Sequence, residues 1–383
     1  MDKKVAAINI SHEVEVLTSF KALEEIVPEW EELALKEYPG HPFADPDWVI
    51  SWLECFSREQ DLRVLVVRAE TKIRGIVPLV LARKKYYGVD VMRLGLPFND
   101  HSPRCDVLVS HTDASVFESV LESIKSWAKQ WDIFELPHIA TDGNAYVIVK
   151  QCTEHSGAIA GEWAGSMAPY LMVEGDWEAF WQQLRSKRRT KLRSRRRRLE
   201  EHGPVELEMV VDVADLELAL EDGYRIEAAA WKGVNGTAIQ SDRAVRDFYT
   251  KLAYRMARKG RLRLFFLKVG KERIAFAYML ELDEKLFALK QGYLLEFSAM
   301  SPSTLLVIDT LKYAFENGIK EYDFLGVDDT WKREWANRLR EHRWIMTFSG
   351  SPRSRAIFAM KSVIVPWVKN ARKVYRSIRE KGV

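Results

Sequence analysis

The sequence predicts a two-domain α/β (α+β) protein in which one unit has been duplicated, and three observations carry that expectation. The chain has 383 residues, beyond the roughly 250–300 at which a single hydrophobic core stops growing. Its composition, 47% hydrophobic and 30% charged, suits a packed globular chain and lacks the low hydrophobicity of disorder. Residues 62–82, LRVLVVRAETKIRGIVPLVLA, align without a gap with residues 262–282, LRLFFLKVGKERIAFAYMLEL. Each stretch is two apolar runs around a charged turn, the pattern of a buried β-hairpin.

Along the first half, Lys3 and Lys4 precede only a six-residue apolar stretch, VAAINI. That is too short for a signal peptide. No window reaches the roughly 18–20 apolar residues of a spanning helix, so the expected location is cytoplasmic. Asp45 and Pro46 have the chemistry of an N-cap and a first helical residue. Trp48, Trp52 and Phe56 then share one helix face, a core-facing stripe. After the hairpin and MRLGLPF comes a loop with Asp100, His101 and Asp106, candidates for acceptor contact, in which Asn99-Asp100 is also an ordinary turn former. A helical pattern through Val120, Ile124, Trp127 and Trp131 feeds a strand, DIFELP, at 132–137. The Gly/Ala-rich stretch 156–168 is the linker candidate, which gives expected domains of 1–160 and 161–383.

The second half opens on charge. Residues 185–198, RSKRRTKLRSRRRR, hold ten Lys and Arg and no acid; set against a total of +3, that leaves the rest of the chain at −7. A polyanion binder would be basic throughout, so the expectation is one basic site on a mildly acidic body. Ser186 is the expected cap of a helix running to about 202, stopped by Gly203 and Pro204. Leu192 and Leu199 are its narrow docking stripe. The remaining cations either pair with the acidic body or meet phosphates or an anionic membrane surface. No helix-turn-helix, zinc-finger or basic-zipper pattern accompanies them, which argues against sequence-specific DNA binding. Helical stretches carrying Tyr224, Glu227 and Trp231, and then Phe248, Tyr249 and Leu252, precede the second hairpin. Ile308, Leu311 and Phe315 then carry a helix that feeds YDFLGV at 322–327.

The candidate chemistry lies between 286 and 335. The strand LFALKQGY leads to Ser301-Pro302, an expected N-cap and first-turn proline, and the amides of Ser303, Thr304 and Leu305 would face an anion at the helix start. Lys290, Tyr293, Glu296, Asp323 and Lys332 gather near strand ends, where α/β folds commonly bind ligands. Cys55, Cys105 and Cys152 are too scattered for a disulfide framework or a zinc site, so no metal is expected. The tail from Ala356 to Val368 is apolar and is followed by Lys369, Arg372, Lys373, Arg376 and Arg379; it either packs on the protein or lies in an anionic membrane interface.

Two copies of hairpin, helix and strand, with LKxxYxxE, SPxxLL and DFLGxxxxxKxxW in the second, resemble the tandem acyltransferases of the GNAT superfamily. They resemble most the CelD-type proteins of cellulose and exopolysaccharide synthesis, and more distantly the FemAB-type aminoacyltransferases. FADPDWVISWLECF, NDHSPRCD, SKRRTKLRSRRRRLEEHG, EAAAWKG and GTAI extend the likeness over most of the chain. The resemblance implies tandem GNAT-like domains, each a mixed, mostly antiparallel sheet flanked by helices. It also implies transfer of an acyl group from an acyl-CoA cosubstrate to an amine or hydroxyl of a sugar-containing or cell-envelope precursor.

Such chemistry needs a base, an oxyanion donor and an acid for the leaving thiolate. Glu227 or Asp323 is the candidate base and Tyr293 the acid. Lys290, Ser301, Ser303, Thr304 and Leu305 are candidates to hold the donor. Trp231, Lys232, Glu296 and Lys332 join Asp100, His101 and Asp106 on the acceptor side. One departure stands out: the GNAT pyrophosphate loop, R/Q-x-x-G-x-G/A, is replaced by SAMSPSTLL, without the glycines that allow close backbone approach. An aminoacyl-tRNA donor of the FemAB kind is therefore the alternative enzyme, and a non-catalytic, membrane-associated scaffold of a glycan-synthesis complex is the alternative of a different class.

Overall fold

The computed structural model describes residues 12–229 and 238–367. Trp231 and Lys232, and the tail cations Lys369, Arg372, Lys373 and Arg376, lie outside the described residues. The chain packs as two compact units, each discontinuous in sequence. Of the described residues, the first takes those within Met1–Leu33, Ser57–Gly165 and His342–Val383, and the second those within Ala34–Phe56 and Ser166–Glu341.

In chain order, β1 (His12–Leu17), β2 (Leu62–Ala69), β3 (Lys72–Tyr86), β4 (Val89–Gly95), β5 (Leu108–Val109) and β6 (Ile133–Ala140) belong to the first unit. β7 (Ile159–Met172) carries the chain into the second, which holds β8 (Val205–Val210), β9 (Leu262–Val269), β10 (Glu272–Leu282), β11 (Lys285–Tyr293) and β12 (Glu321–Asp323). β13 (Arg338–Phe348) returns the chain to the first. The Gly/Ala-rich stretch expected to be a linker is thus mostly strand: its small residues allow close packing, and Gly165 lies where a Cβ would stand 2.8 Å from the His342 carbonyl oxygen.

In the first unit the strand order is β1-β2-β3-β4-β6-β13, and only the β4–β6 pair is parallel. In the second it is β8-β9-β10-β11-β12-β7, and only β11–β12 is parallel. Both are mixed, mostly antiparallel sheets with helices packed on them. The hairpins repeat in register as well as in sequence. Leu62 pairs with Val80 and Leu262 with Leu280; Val66 pairs with Ile76 and Phe266 with Phe276. The following pairing breaks the symmetry. β3–β4 runs without a shift, whereas β10–β11 carries a bulge: Tyr278 faces Lys290 and Met279 faces Ala288, leaving Leu289 over.

The aromatic stripe of the helix Pro46–Phe56 is core-facing as expected, within the second unit. Trp48 and Phe56 sit 5.2 and 5.4 Å, centroid to centroid, from Phe248 on the helix Arg243–Arg258. Asp45 accepts the Asp47 amide at 2.9 Å, as an N-cap should, and also pairs with Arg261 at 2.6 Å. The first-half helix Ser115–Ser126 ends before Trp127, and Trp131 lies in the connection to β6. YDFLGV is strand only as far as Asp323. Beyond it the backbone turns through two left-handed residues, Leu325 (φ 53°) and Gly326 (φ 66°).

Candidate active site

The bulge in β11 opens a cavity of about 300 Å³ within the second unit. Its walls are Glu227, the run Ala288–Tyr293, Ser303, Phe324, Asp329, Trp331 and Lys332. An extra residue in one strand bends it and re-aims its side chains, so Leu289, Lys290 and their neighbours line a concavity where a regular ladder would stay flat.

Glu227 sits in the last turn of the helix Leu216–Ala228 and is fully buried. One of its carboxylate oxygens accepts the Ile239 amide at 3.0 Å. Gly292 on β11 lies directly against it: a Cβ there would be 2.4 Å from Glu227 Cα. A strand glycine marks close backbone approach, and here it lets the helix reach the cavity wall. Lys290 Nζ lies 5.4 Å from the Tyr249 ring centroid. Burial first, and then the Glu227 charge, hold the Tyr249 hydroxyl well above its ordinary range, so this phenol stays protonated.

Lys332, on the short helix Thr330–Arg333, donates to the carbonyls of Leu325 and Val327 at 2.9 Å each and lies 3.2 Å from Asp329. Burial pulls its ammonium below the usual lysine range, and Asp329 and Asp323 work against that. The lysine thus pins the left-handed turn that follows β12 and keeps one side on the cavity. Asp323, in contrast, does not line it. Its carboxylate accepts the Leu325 amide at 2.8 Å and Arg340 Nη1 at 2.7 Å, and Arg340 also reaches both oxygens of Glu321 at 3.1 Å. Two acids on β12 meet one guanidinium from β13 below the turn.

At the next helix, Pro302–Glu316, Ser301 occupies the N-cap position in a left-handed conformation (φ 52°) and makes no side-chain cap bond. Its carbonyl receives the amides of Thr304 and Leu305 at 3.0 and 3.2 Å. Those two amides are spent inside the first turn, which corrects the expectation that they face an anion. Ser303 does line the cavity, and Glu296 is exposed outside it on the turn Leu295–Met300.

The basic helix runs Ser186–Glu200, so Ser186 is its first residue; the capping position falls to Arg185, with no side-chain bond. Leu192 and Leu199 are its buried stripe. Arg188 pairs with Glu334 at 2.8 Å and stacks on Trp335, Arg196 pairs with Asp309 at 2.8 Å, and Arg193 lies over Trp181. Lys187, Lys191, Arg197 and Arg198 are exposed. Pairing with the protein's own acids and rings thus accounts for Arg188, Arg193 and Arg196, and those four exposed cations face solvent.

In the first unit, Asn99 organises its loop, its side chain accepting the His101 amide at 2.9 Å. Asp100 is exposed and Asp106 buried, and burial, ahead of every other cause, pushes the Asp106 carboxyl up to about 7. All three cysteines are free thiols. Among the cavity groups, Glu227, Lys290, Tyr293, Ser303 and Lys332 were legible in sequence. Arg340 and Tyr249, which support the site from outside the cavity walls, carried no functional signal in sequence. Gly292 carried a usable signal as a lone glycine inside a strand pattern.

Residues 186–333 match the model of an acetyltransferase (GNAT) domain, a segment that contains every wall of the cavity. No curated protein matches the chain. Several solved structures share its fold, among them the following three. FemX superposes with a TM-score of 0.58 at 13% identity, covering 83% of this chain and 95% of that one. The C-terminal domain of a putative lysylphosphatidylglycerol synthetase from Agrobacterium fabrum gives 0.55 at 10% identity, covering 88% and 97%. L-PGS from Bacillus licheniformis gives 0.53 at 12%, covering 87% and 96%. The fold is thus GNAT-like and of the type seen in FemX.

Proposed function

We propose that the second unit is an acyltransferase that moves an acyl group, acetyl from acetyl-CoA in the first instance, onto an amine or hydroxyl of a polysaccharide or cell-envelope precursor. The observation that carries this is one cavity, inside the GNAT-matched segment, that collects a buried carboxylate, a phenol and two lysines. In the proposed step Glu227 takes the proton from the acceptor's N–H or O–H, and the freed electron pair forms the bond to the acyl carbon. The Lys290 ammonium faces the charge that develops on the acyl oxygen. The C–S bond then breaks and Tyr293 gives its proton to the departing thiolate. Asp323 acts at one remove, with Arg340, by holding the turn that places Lys332.

The sugar-containing acceptor rests on the CelD-type resemblance. A second donor is favoured by one specific feature: the helix start after β11 reads SAMSPSTLL without glycine, and FemX shares the fold. An aminoacyl-tRNA would then supply the acyl group through an ester. Incubating the full chain with acetyl-CoA and amino-sugar acceptors tests the first donor, by thermal shift and by release of free thiol. No shift at millimolar acetyl-CoA, together with salt-sensitive binding of charged tRNA, would replace it with the second.

A further inference from the structure

We infer that the helical segment 352–367 of the first unit is a docking surface for an anionic membrane. Its inner side is fixed. Ser351 caps it by accepting the Ser354 amide and is itself tied to Asp132 at 2.7 Å. Ile357 is buried with Val91, Ile133, Met346 and Phe348, and Lys361 Nζ lies 4.9 and 5.6 Å from the ring centroids of Trp163 and Trp344.

The outer side is apolar and exposed. Val363 is 64% exposed, Ile364 44% and Trp367 71%, and the exposed Ala356 and Ala359 precede them on the helix Pro352–Ala359. Water contact at three large apolar side chains on one helical face marks an interaction site more often than chance. Two exposed arginines, Arg353 and Arg355, flank the start of the stripe.

The charge of the following sequence selects the occupant. Past Trp367 the chain reads VKNARKVYRSIREKGV, with six cations, Lys369, Arg372, Lys373, Arg376, Arg379 and Lys381, against one acid, Glu380. An apolar stripe ending in tryptophan and continued by clustered cations is complementary to an acyl-chain boundary overlaid by anionic head groups. A protein partner or a second copy would not require that surplus: the tail carries a net +5 and the rest of the chain only −2, too small an acidic excess to match it. Among the described residues no helix is long and apolar enough to cross a membrane, so the contact is with the surface. This inference stands apart from the acyl-transfer proposal.

The test is flotation of the full chain with vesicles of phosphatidylcholine alone or containing about 30% phosphatidylglycerol. Partitioning at least tenfold stronger on the anionic vesicles is expected, reduced about tenfold by V363D/I364D/W367D at an unchanged melting temperature. Charge reversal on the basic helix, K187E/K191E/R197E/R198E, should leave it within about twofold. The inference is overturned by any of three results: no partitioning onto anionic vesicles, partitioning that survives the triple aspartate variant, or a dimer in sedimentation velocity that the triple variant dissolves, which would make the occupant a second copy.

Discussion

Gly292 and Glu227 meet backbone to backbone: a Cβ on the glycine would stand 2.4 Å from the Cα of the buried glutamate. Real side chains do not approach backbone that closely, so Gly292→Ala must push β11 away from the helix Leu216–Ala228. Overpacking of this kind costs about 1–3 kcal/mol. Urea denaturation should show a loss in that range. Thiol release should fall further than stability, because the displaced pair forms the cavity wall.

Glu227→Gln keeps an oxygen for the Ile239 amide and removes the base. The expected result is a folded protein with kcat lowered about 10²–10⁴-fold, the usual worth of general base catalysis. Tyr293→Phe should lower kcat with little effect on binding of acetyl-CoA. Unchanged turnover in both variants would remove the proposed mechanism.

Arg340→Met leaves Glu321 and Asp323 buried side by side without their guanidinium. Breaking a buried pair by deleting one partner costs about 3–5 kcal/mol, and that loss is expected in the denaturation midpoint. Adding Glu321→Gln and Asp323→Asn should recover most of it. A midpoint unmoved by the single change would show that the three groups do not depend on one another.

Asp106 gives a pH signature in the first unit. Burial raises its carboxyl from 3.8 to about 7, so between those values the folded chain holds a proton that the unfolded chain has lost. Stability therefore falls as pH rises from about 4 to about 7 and is level above that. Asp106→Asn keeps the acceptor for the Val107 amide and should flatten this slope, with its gain over the parent largest near pH 8. Urea midpoints from pH 5 to 8 measure it.

How much was legible in sequence differs by residue. Lys290 and Tyr293 follow from ionisable groups near a strand end, whereas the roles of Glu227 as base and Tyr293 as acid follow from the family resemblance. Asp323 was singled out for the right neighbourhood and the wrong contact. Its spacing from Lys332 records that the two share a turn, but nothing in the local sequence points to Arg340, whose guanidinium turns it inward. The helix-start amides failed for a related reason: a left-handed Ser301 sends its carbonyl into the first turn, and side-chain identity does not reveal that dihedral.

By itself the sequence determined the duplication, the paired hairpins with their common register, the basic helix and its two-leucine stripe. Each of these follows from local periodicity, which short-range sterics and burial of one face translate directly into an element. Tertiary structure alone decided which core each face fills. A stripe such as Trp48, Trp52 and Phe56 demands burial without naming the surface, and the helix Pro46–Phe56 finds it in the second unit, against Phe248. The bulge at Leu289 is likewise a matter of pairing between strands. One extra residue in β11, absent from its counterpart β4, makes a cavity in one copy of a repeated design.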